Sequence, residues 1–409
     1  MGFREIEGGV TAARGFKAAG AEAQLKYKGR LDMAMIYSEK PCTVAGTFTK
    51  NIVKAAPVKW DMRIVEKGEC VHAAVVNSGI ANACTGKEGM SVCEETASHA
   101  AKLLGIDKDQ VLIGSTGVIG MQLSIEKLKN GINALVPKLT DSVKAGNEAE
   151  RAIMTTDTVP KEIAVELKIG DKTVRIGGMS KGSGMIHPNM CTMLAYITTD
   201  AVISREILTE IVKQDIEDTF NMISVDGDTS TNDTYLVFAN GAAGNKEINK
   251  EDGSYEAFRQ ALHFVNESLA KRMAKDGEGA TALFEAKIIN AASKAEAKIL
   301  AKSMIGSMLS KAAIFGHDAN FGRFLCALGY SGVTFDPENI DLYFESRAGR
   351  LLIYSDGVQA EYSEQEATEI LSEDEVTVIA DMKQGQAEAV AWGCDLTYDY
   401  VKINADYRS

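Results

Sequence analysis

A chain of 409 residues with 45% hydrophobic and 25% charged side chains has the balance of an ordinary soluble globular protein. It exceeds one typical core, so two or three domains, or one large layered unit, are expected. The 44 Lys and Arg against 57 Asp and Glu leave a net charge of -13, which repels phosphate backbones and anionic lipid and points to a small-molecule substrate rather than nucleic acid or membrane.

The start, MGFREIEGGV, mixes acid and base without an apolar segment, so no secretory signal is expected, and Ile6 breaks the myristoylation pattern. The seven cysteines (Cys42, Cys70, Cys84, Cys93, Cys191, Cys326 and Cys394) are scattered and never form C-x-x-C. That spacing implies reduced thiols in a cytoplasmic protein, most of them small core residues. Nowhere does a charge-free apolar run approach the roughly 20 residues of a membrane span.

The first helix pattern is SVCEETASHAAKLLG, with Ser91 as N-cap, Glu94 three residues on and Gly105 as the stop. Alternating Ile163, Val165, Leu167 and Ile169, a turn at Gly170-Asp171, and Val174 with Ile176 predict a hairpin. Helical faces follow between Ser204 and Phe220 and between Phe258 and Met273; Ser293 caps one long helix over SKAEAKILAKSMIGSMLSKA, and SEQEATEILS is a short one. Strands are expected at TYLVFA, ALFEAKII, IDLYFES, RLLIYS, EVTVIADM and AEAVAWGCDLTYDYVKI, making the back half strand-rich. Without strict βαβ alternation, the expected fold is mixed α/β (α+β), layered, with no evident boundary.

Several short segments carry chemistry. GSTGVIG, residues 114–120, follows the apolar VLI and is either a tight turn or an oxyanion hole in which Thr116 and Gly117 present donors. It is no Walker loop, and GSG at Gly182–Gly184 lacks the third glycine of a dinucleotide fingerprint. DGDTSTND, Asp226–Asp233, lacks the glycine and terminal glutamate of a calcium loop and is expected to be a polar turn or a substrate-site wall. The five histidines show no i, i+4 pair, so no metal is expected. Cys191-Thr192 in KGSGMIHPNMCTMLAYITTDA sets a hydroxyl in an apolar run, either as a strand residue or as a nucleophile, while His187 four residues before Cys191 raises a Cys-His pair as a rival.

From Lys181 to Ala201 the chain closely resembles the glutamate N-acetyltransferase (ornithine acetyltransferase) family of arginine biosynthesis. The resemblance continues through FKAAGAEAQLKYKGRLDMAMIYS, VAGTFTKNIVKAAPV, VVNSGIANACTG, GSTGVIG, AIMTTDT, SVDGDTSTNDT, GEGATALFE, DANFGR and KINADYRS, nearly the whole chain in family order. It implies a layered sandwich of mixed sheets with flanking helices, of the self-processing N-terminal-threonine-nucleophile type (ornithine acetyltransferase/aminopeptidase-like). The implied products of cleavage at Cys191-Thr192 are an alpha chain, 1–191, and a beta chain, 192–409, assembled as α2β2.

The implied reaction is ping-pong acetyl transfer from N2-acetyl-L-ornithine to L-glutamate through acetyl-Thr192, without a cofactor; acetyl-CoA would be a co-substrate if the enzyme is bifunctional. By the same resemblance Thr116 and Gly117 form the oxyanion hole, while Thr155, Lys181, Thr192, Glu278, Asn404 and Ser409 contact substrate. Cys191, Ile80, His317, Phe321 and Ser409 depart from the commoner family residues without touching the nucleophile. The rival functions are a self-cleaving threonine aminopeptidase or amidohydrolase, and an uncleaved binding or scaffold protein.

Overall fold

The computed structural model describes residues 2–187 and 193–406. They form two compact units: residues 2–182, 193–220 and 229–269 make the first, and residues 183–187, 221–228 and 270–406 the second. Both units thus hold residues from before and after position 191.

The first unit is built on a nine-stranded mixed sheet. Across it run Phe3–Ile6, Lys161–Ile169, Lys172–Lys181, Leu194–Thr199, Thr234–Ala239, Met33–Phe48, Val71–Asn77 and Val111–Ser115, with Phe16–Ala21 also on Met33–Phe48. The Leu194 strand runs parallel to Thr234–Ala239, and Val71–Asn77 runs parallel to Val111–Ser115. A helix lies between the strands of each parallel pair, Arg205–Asp215 in one and Gly86–Leu104 in the other, as a parallel crossover requires. All six residues of Leu194–Thr199 and of Thr234–Ala239 are buried. Such strands, covered on both faces, read as continuous apolar runs.

The expected hairpin forms, with Ile169 opposite Lys172 and Gly170 at φ +60° in the turn. Its second strand then pairs with the centre of the sheet, setting Lys181 opposite Leu194.

The second unit carries a seven-stranded mixed sheet in the order Val358–Gln359, Gly349–Ser355, Asp341–Ser346, Glu375–Asp381, Leu283–Ala291, Ala387–Cys394 and Ile223–Ser224. Helices Lys294–Gly306 and Glu364–Leu371 are capped by Ser293 and Ser363, whose hydroxyls accept the Glu296 and Glu366 amides, a standard way of satisfying orphan donors.

Four elements differ from the sequence expectation. The helix expected from Ser91 begins at Gly86, with buried Gly89 continuing the face of Val92, Cys93 and Thr96 upstream; Gly105 at φ +70° still ends it. The face expected to reach Phe220 stops at Asp215, whose carbonyl accepts the Thr219 hydroxyl at 2.9 Å. The long helix after Ser293 breaks at Ser307, whose hydroxyl caps a separate helix, Met308–Phe315. The last strand ends at Cys394: Thr397 Oγ1 accepts the Tyr400 amide and starts the helix Tyr398–Ala405.

The front half is also strand-bearing: five of the nine strands of the first sheet precede Thr116. Buried on both faces, MAMI and AAVVN show no alternation. Of the six described cysteines, which form no disulfide among the described residues, Cys42, Cys93 and Cys394 are buried and Cys70, Cys84 and Cys326 exposed, so half rather than most are core residues.

Candidate active site

At the end of Val111–Ser115 the chain enters Thr116–Gly120, which lies against residues 77–83 of the first unit. The Thr116 amide donates to Asn77 O (3.0 Å), Val118 to Gly79 O (3.1 Å), Ala81 to Val118 O (3.0 Å) and Gly120 to Ala83 O (3.0 Å). Gly117 adopts φ +125°, and a Cβ built there would lie 2.3 Å from the Gly79 carbonyl carbon. Only glycine fits both constraints. Among the described residues the Gly117 amide donates to no backbone oxygen, so loop pinning leaves one donor beside Thr116.

Two buried asparagines fix this loop from behind. Asn77 Oδ1 accepts the Ser115 hydroxyl at 2.7 Å, while Asn232 Nδ2 donates to Ala81 O at 2.6 Å and to Ser115 O at 2.7 Å. Asn232 comes from the back end of DGDTSTND, where sequence reading saw only a polar turn or wall. Its signal was an uncharged amide between acidic residues, which spacing alone does not interpret.

Lys181, 7% exposed, ends the strand Lys172–Lys181 and places Nζ 3.4 Å from Thr116 Oγ1. Beside it, Asp157 Oδ1 accepts Lys161 Nζ at 2.8 Å and the Gly182 amide at 2.7 Å, and Oδ2 accepts the Thr155 amide at 3.0 Å. Both side chains of the Lys161–Asp157 pair are fully buried. Burial alone would raise the Asp157 pKa; the positive charges of Lys181 and Lys161 and the donated hydrogen bonds outweigh it and hold the carboxyl below the usual range. Glu150, also fully buried, accepts the Lys161 amide at 2.9 Å. Desolvation dominates there and pushes its carboxyl up to about 8.

In the second unit Glu278 is buried and accepts Asn404 Nδ2 at 2.7 Å; its own amide donates to Ser183 O at 2.9 Å. A Cβ at Gly184 would stand 2.2 Å from the Glu278 carboxyl carbon, so glycine there makes room for the acid. Asp226 accepts the amides of Met185 (2.6 Å), Ile186 (2.9 Å) and Asp228 (3.1 Å), making the front of DGDTSTND an anchor for the segment after Gly184. His187 shares a hydrogen bond with Ser224 Oγ at 2.9 Å, and burial lowers its pKa.

The first unit therefore brings Thr116, Gly117 and Lys181 together, with Thr155 tied to Gly182 through Asp157. Glu278 and Asn404 meet in the second. Thr192, its expected cleavage partner Cys191, and Ser409 lie outside the described residues. Asn77, Asn232, Asp157 and Asp226 were not singled out from sequence, because a buried amide or carboxylate that organises backbone leaves no spacing pattern.

The ArgJ family model matches residues 17–409. The arginine biosynthesis bifunctional protein ArgJ 1 of Clostridium acetobutylicum is 49% identical over 400 residues, covering 98% of this chain and 97% of that protein. The arginine biosynthesis bifunctional protein ArgJ of Symbiobacterium thermophilum is 50% identical over 406 residues, covering 99% of each. The crystal structure of the arginine biosynthesis bifunctional protein argJ from Bacillus halodurans superposes with a TM-score of 0.50 at 43% identity, over 51% of this chain and 97% of that one. With a family match across almost its full length and two relatives near half identity, the chain belongs to the ArgJ family.

Proposed function

We propose that this protein is a glutamate N-acetyltransferase of arginine biosynthesis, moving the acetyl group of N2-acetyl-L-ornithine to L-glutamate through an acetyl-threonine enzyme. The observation that carries the reading is the Thr116–Lys181 contact of 3.4 Å beside the Gly117 amide. It joins donors suited to a developing oxyanion with a cation suited to an amino-acid carboxylate. Family membership favours this reading over the aminopeptidase or amidohydrolase alternative.

In the first step Thr192 Oγ attacks the Cys191 carbonyl, the Cys191–Thr192 amide becomes an ester, and water opens it. An alpha chain of 1–191 and a beta chain of 192–409 result. An α-amine titrates near pH 8, so the freed Thr192 amine serves as the general base for its own hydroxyl. Thr192 Oγ then attacks the acetyl carbonyl of acetylornithine, Thr116 and Gly117 stabilise the tetrahedral oxyanion, and the proton held by the amine passes to departing ornithine. Glutamate's amine attacks the resulting ester, giving N-acetylglutamate and regenerating the hydroxyl. Within the first unit Lys181, with Thr155 tied beside it, suits a substrate carboxylate; within the second, Glu278, hydrogen-bonded by Asn404, suits the ornithine ammonium.

An amide is exchanged for an amide through an ester, so no cofactor is required; acetyl-CoA enters as a second acetyl donor to the same threonine. The fragments assemble as α2β2 in the cytoplasm, in the N-terminal-threonine-nucleophile class of fold. Intact mass of the wild type and of Thr192→Ala tests the first step, with two fragments expected in the wild type alone. Omitting glutamate from an acetylornithine assay tests the second. Ornithine release undiminished without glutamate would replace the transferase by a hydrolase.

A further inference from the structure

The Asp157 carboxylate is shared among residues that the proposed function uses separately. One oxygen takes the Lys161 ammonium and the amide following Lys181; the other takes the Thr155 amide. The carboxylate is fully buried, as is the ammonium that neutralises it. A surface turn at 155–157 would not need a buried ion pair, because an Asx-type turn is satisfied by the carboxylate and a single amide. Here two segments remote in sequence, residues 155–161 and 181–182, converge on one group. Both side chains of the pair are shielded from water, so the three donors that reach the carboxylate from described residues set its orientation.

We infer that Asp157 is a positioning residue for the amino-acid carboxylate site, holding Thr155 and Lys181 in one fixed geometry, with Lys161 as its permanent counterion. The inference rests on the reading of Thr155 and Lys181 as substrate contacts. Asp157 itself touches no reacting atom in that reading. A rigid shared anchor keeps two ligand contacts in register, so that binding does not have to order them. Lys161 makes the direct ion pair with the carboxylate, while Lys181 places its Nζ 3.4 Å from Thr116 Oγ1 and is tied to Asp157 through the neighbouring Gly182 amide.

The consequence separates binding from chemistry. Loss of a contact made equally in ground and transition states raises KM and leaves kcat nearly unchanged. KM is also independent of the fraction of chains that have processed, so incomplete cleavage does not confuse the measurement.

The test compares Asp157→Asn, the double variant Asp157→Asn/Lys161→Met and the reference variant Lys181→Met, each confirmed as folded by its melting transition. The double variant removes the ammonium that Asp157→Asn leaves buried without its carboxylate, yet keeps an amide oxygen for the Gly182 N–H. Expected in both Asp157 variants is a rise in KM for glutamate and for acetylornithine of about tenfold or more, equivalent to about 1.4 kcal/mol, with kcat within about threefold of wild type. KM values within about twofold of wild type in a folded double variant would overturn the inference, provided Lys181→Met raises KM. If Lys181→Met leaves KM unchanged, the assignment of Lys181 to the carboxylate fails, and this inference falls with it. Failure of both Asp157 variants to fold would make Asp157 a residue of fold stability and overturn its positioning role.

Discussion

Asn232 Nδ2 donates to the Ser115 carbonyl at 2.7 Å, one residue before Thr116, and the same nitrogen donates to Ala81 O at 2.6 Å. One buried amide thereby sets the spacing between the loop that presents the oxyanion donors and the segment 77–83 that backs it. In Asn232→Ala both carbonyls lose this donor in a dry environment, at about 1–3 kcal/mol for each acceptor left unsatisfied. The expected outcome is a lowered melting temperature together with a fall in kcat of about tenfold or more, since the donors act on the transition state. Melting curves and steady-state rates on the same preparation check it; a loss of stability with kcat intact would separate Asn232 from the oxyanion loop.

Gly117→Ala asks for a side chain at φ +125° and for a Cβ 2.3 Å from the Gly79 backbone. No rotamer relieves a backbone clash, so the loops must part. Acetyl transfer is expected to fall by about 10²-fold or more. A variant that retains activity would show that the Gly117 amide is not one of the donors.

In the second unit Gly184→Ala would place a methyl group 2.2 Å from the Glu278 carboxyl carbon, displacing the acid from Asn404. KM for acetylornithine is expected to rise about tenfold, and by a similar factor in Glu278→Gln, with a smaller change for glutamate, which has no side-chain ammonium. Equal effects on both substrates would argue against Glu278 as the ammonium partner.

Glu150 gives a pH prediction whose sign is fixed by its environment. Burial, the largest influence, pushes its carboxyl from 4.5 up to about 8; the nearby Asp157 adds to the rise, while the Lys161 amide and charge oppose it. A carboxyl with a raised pKa binds a proton in the folded state that the unfolded chain has released. Its contribution to stability is complete below about pH 4.5 and is lost as pH rises through about 8. Glu150→Gln has nothing to ionise, so its stability curve should be flatter between pH 5 and 8, the difference reaching on the order of a few kcal/mol at pH 8. Urea midpoints of both proteins across that range provide the check, and parallel curves would mean that Glu150 titrates normally.

Much of the fold can be read from the chain itself. The hairpin around Gly170-Asp171 and the helices begun by Ser204, Ser293 and Ser363 depend on local geometry: alternation, a turn glycine, or a hydroxyl that accepts an amide three residues on. Such signals act within a few residues, so linear order carries them. The apolar stretches MAMI and AAVVN of Met33–Phe48 and Val71–Asn77 were not legible in this way, since burial on both faces erases alternation. The breaks after Gly306 and Cys394 do carry local marks, the capping hydroxyls of Ser307 and Thr397, which the apolar pattern around them obscured.

The candidate site divides along the same line. Glycine loops, a lone Thr192 in an apolar run and the ordered family segments were enough to nominate Thr116, Gly117, Thr155, Lys181, Glu278 and Asn404. Sequence alone had no means of joining Thr155 to Gly182 through Asp157, or Ser115 to Asn232, 117 positions apart. Those partners are chosen by burial: once water is excluded, every amide and carboxylate must find its counterpart in space, and the tertiary structure alone decides which one that is.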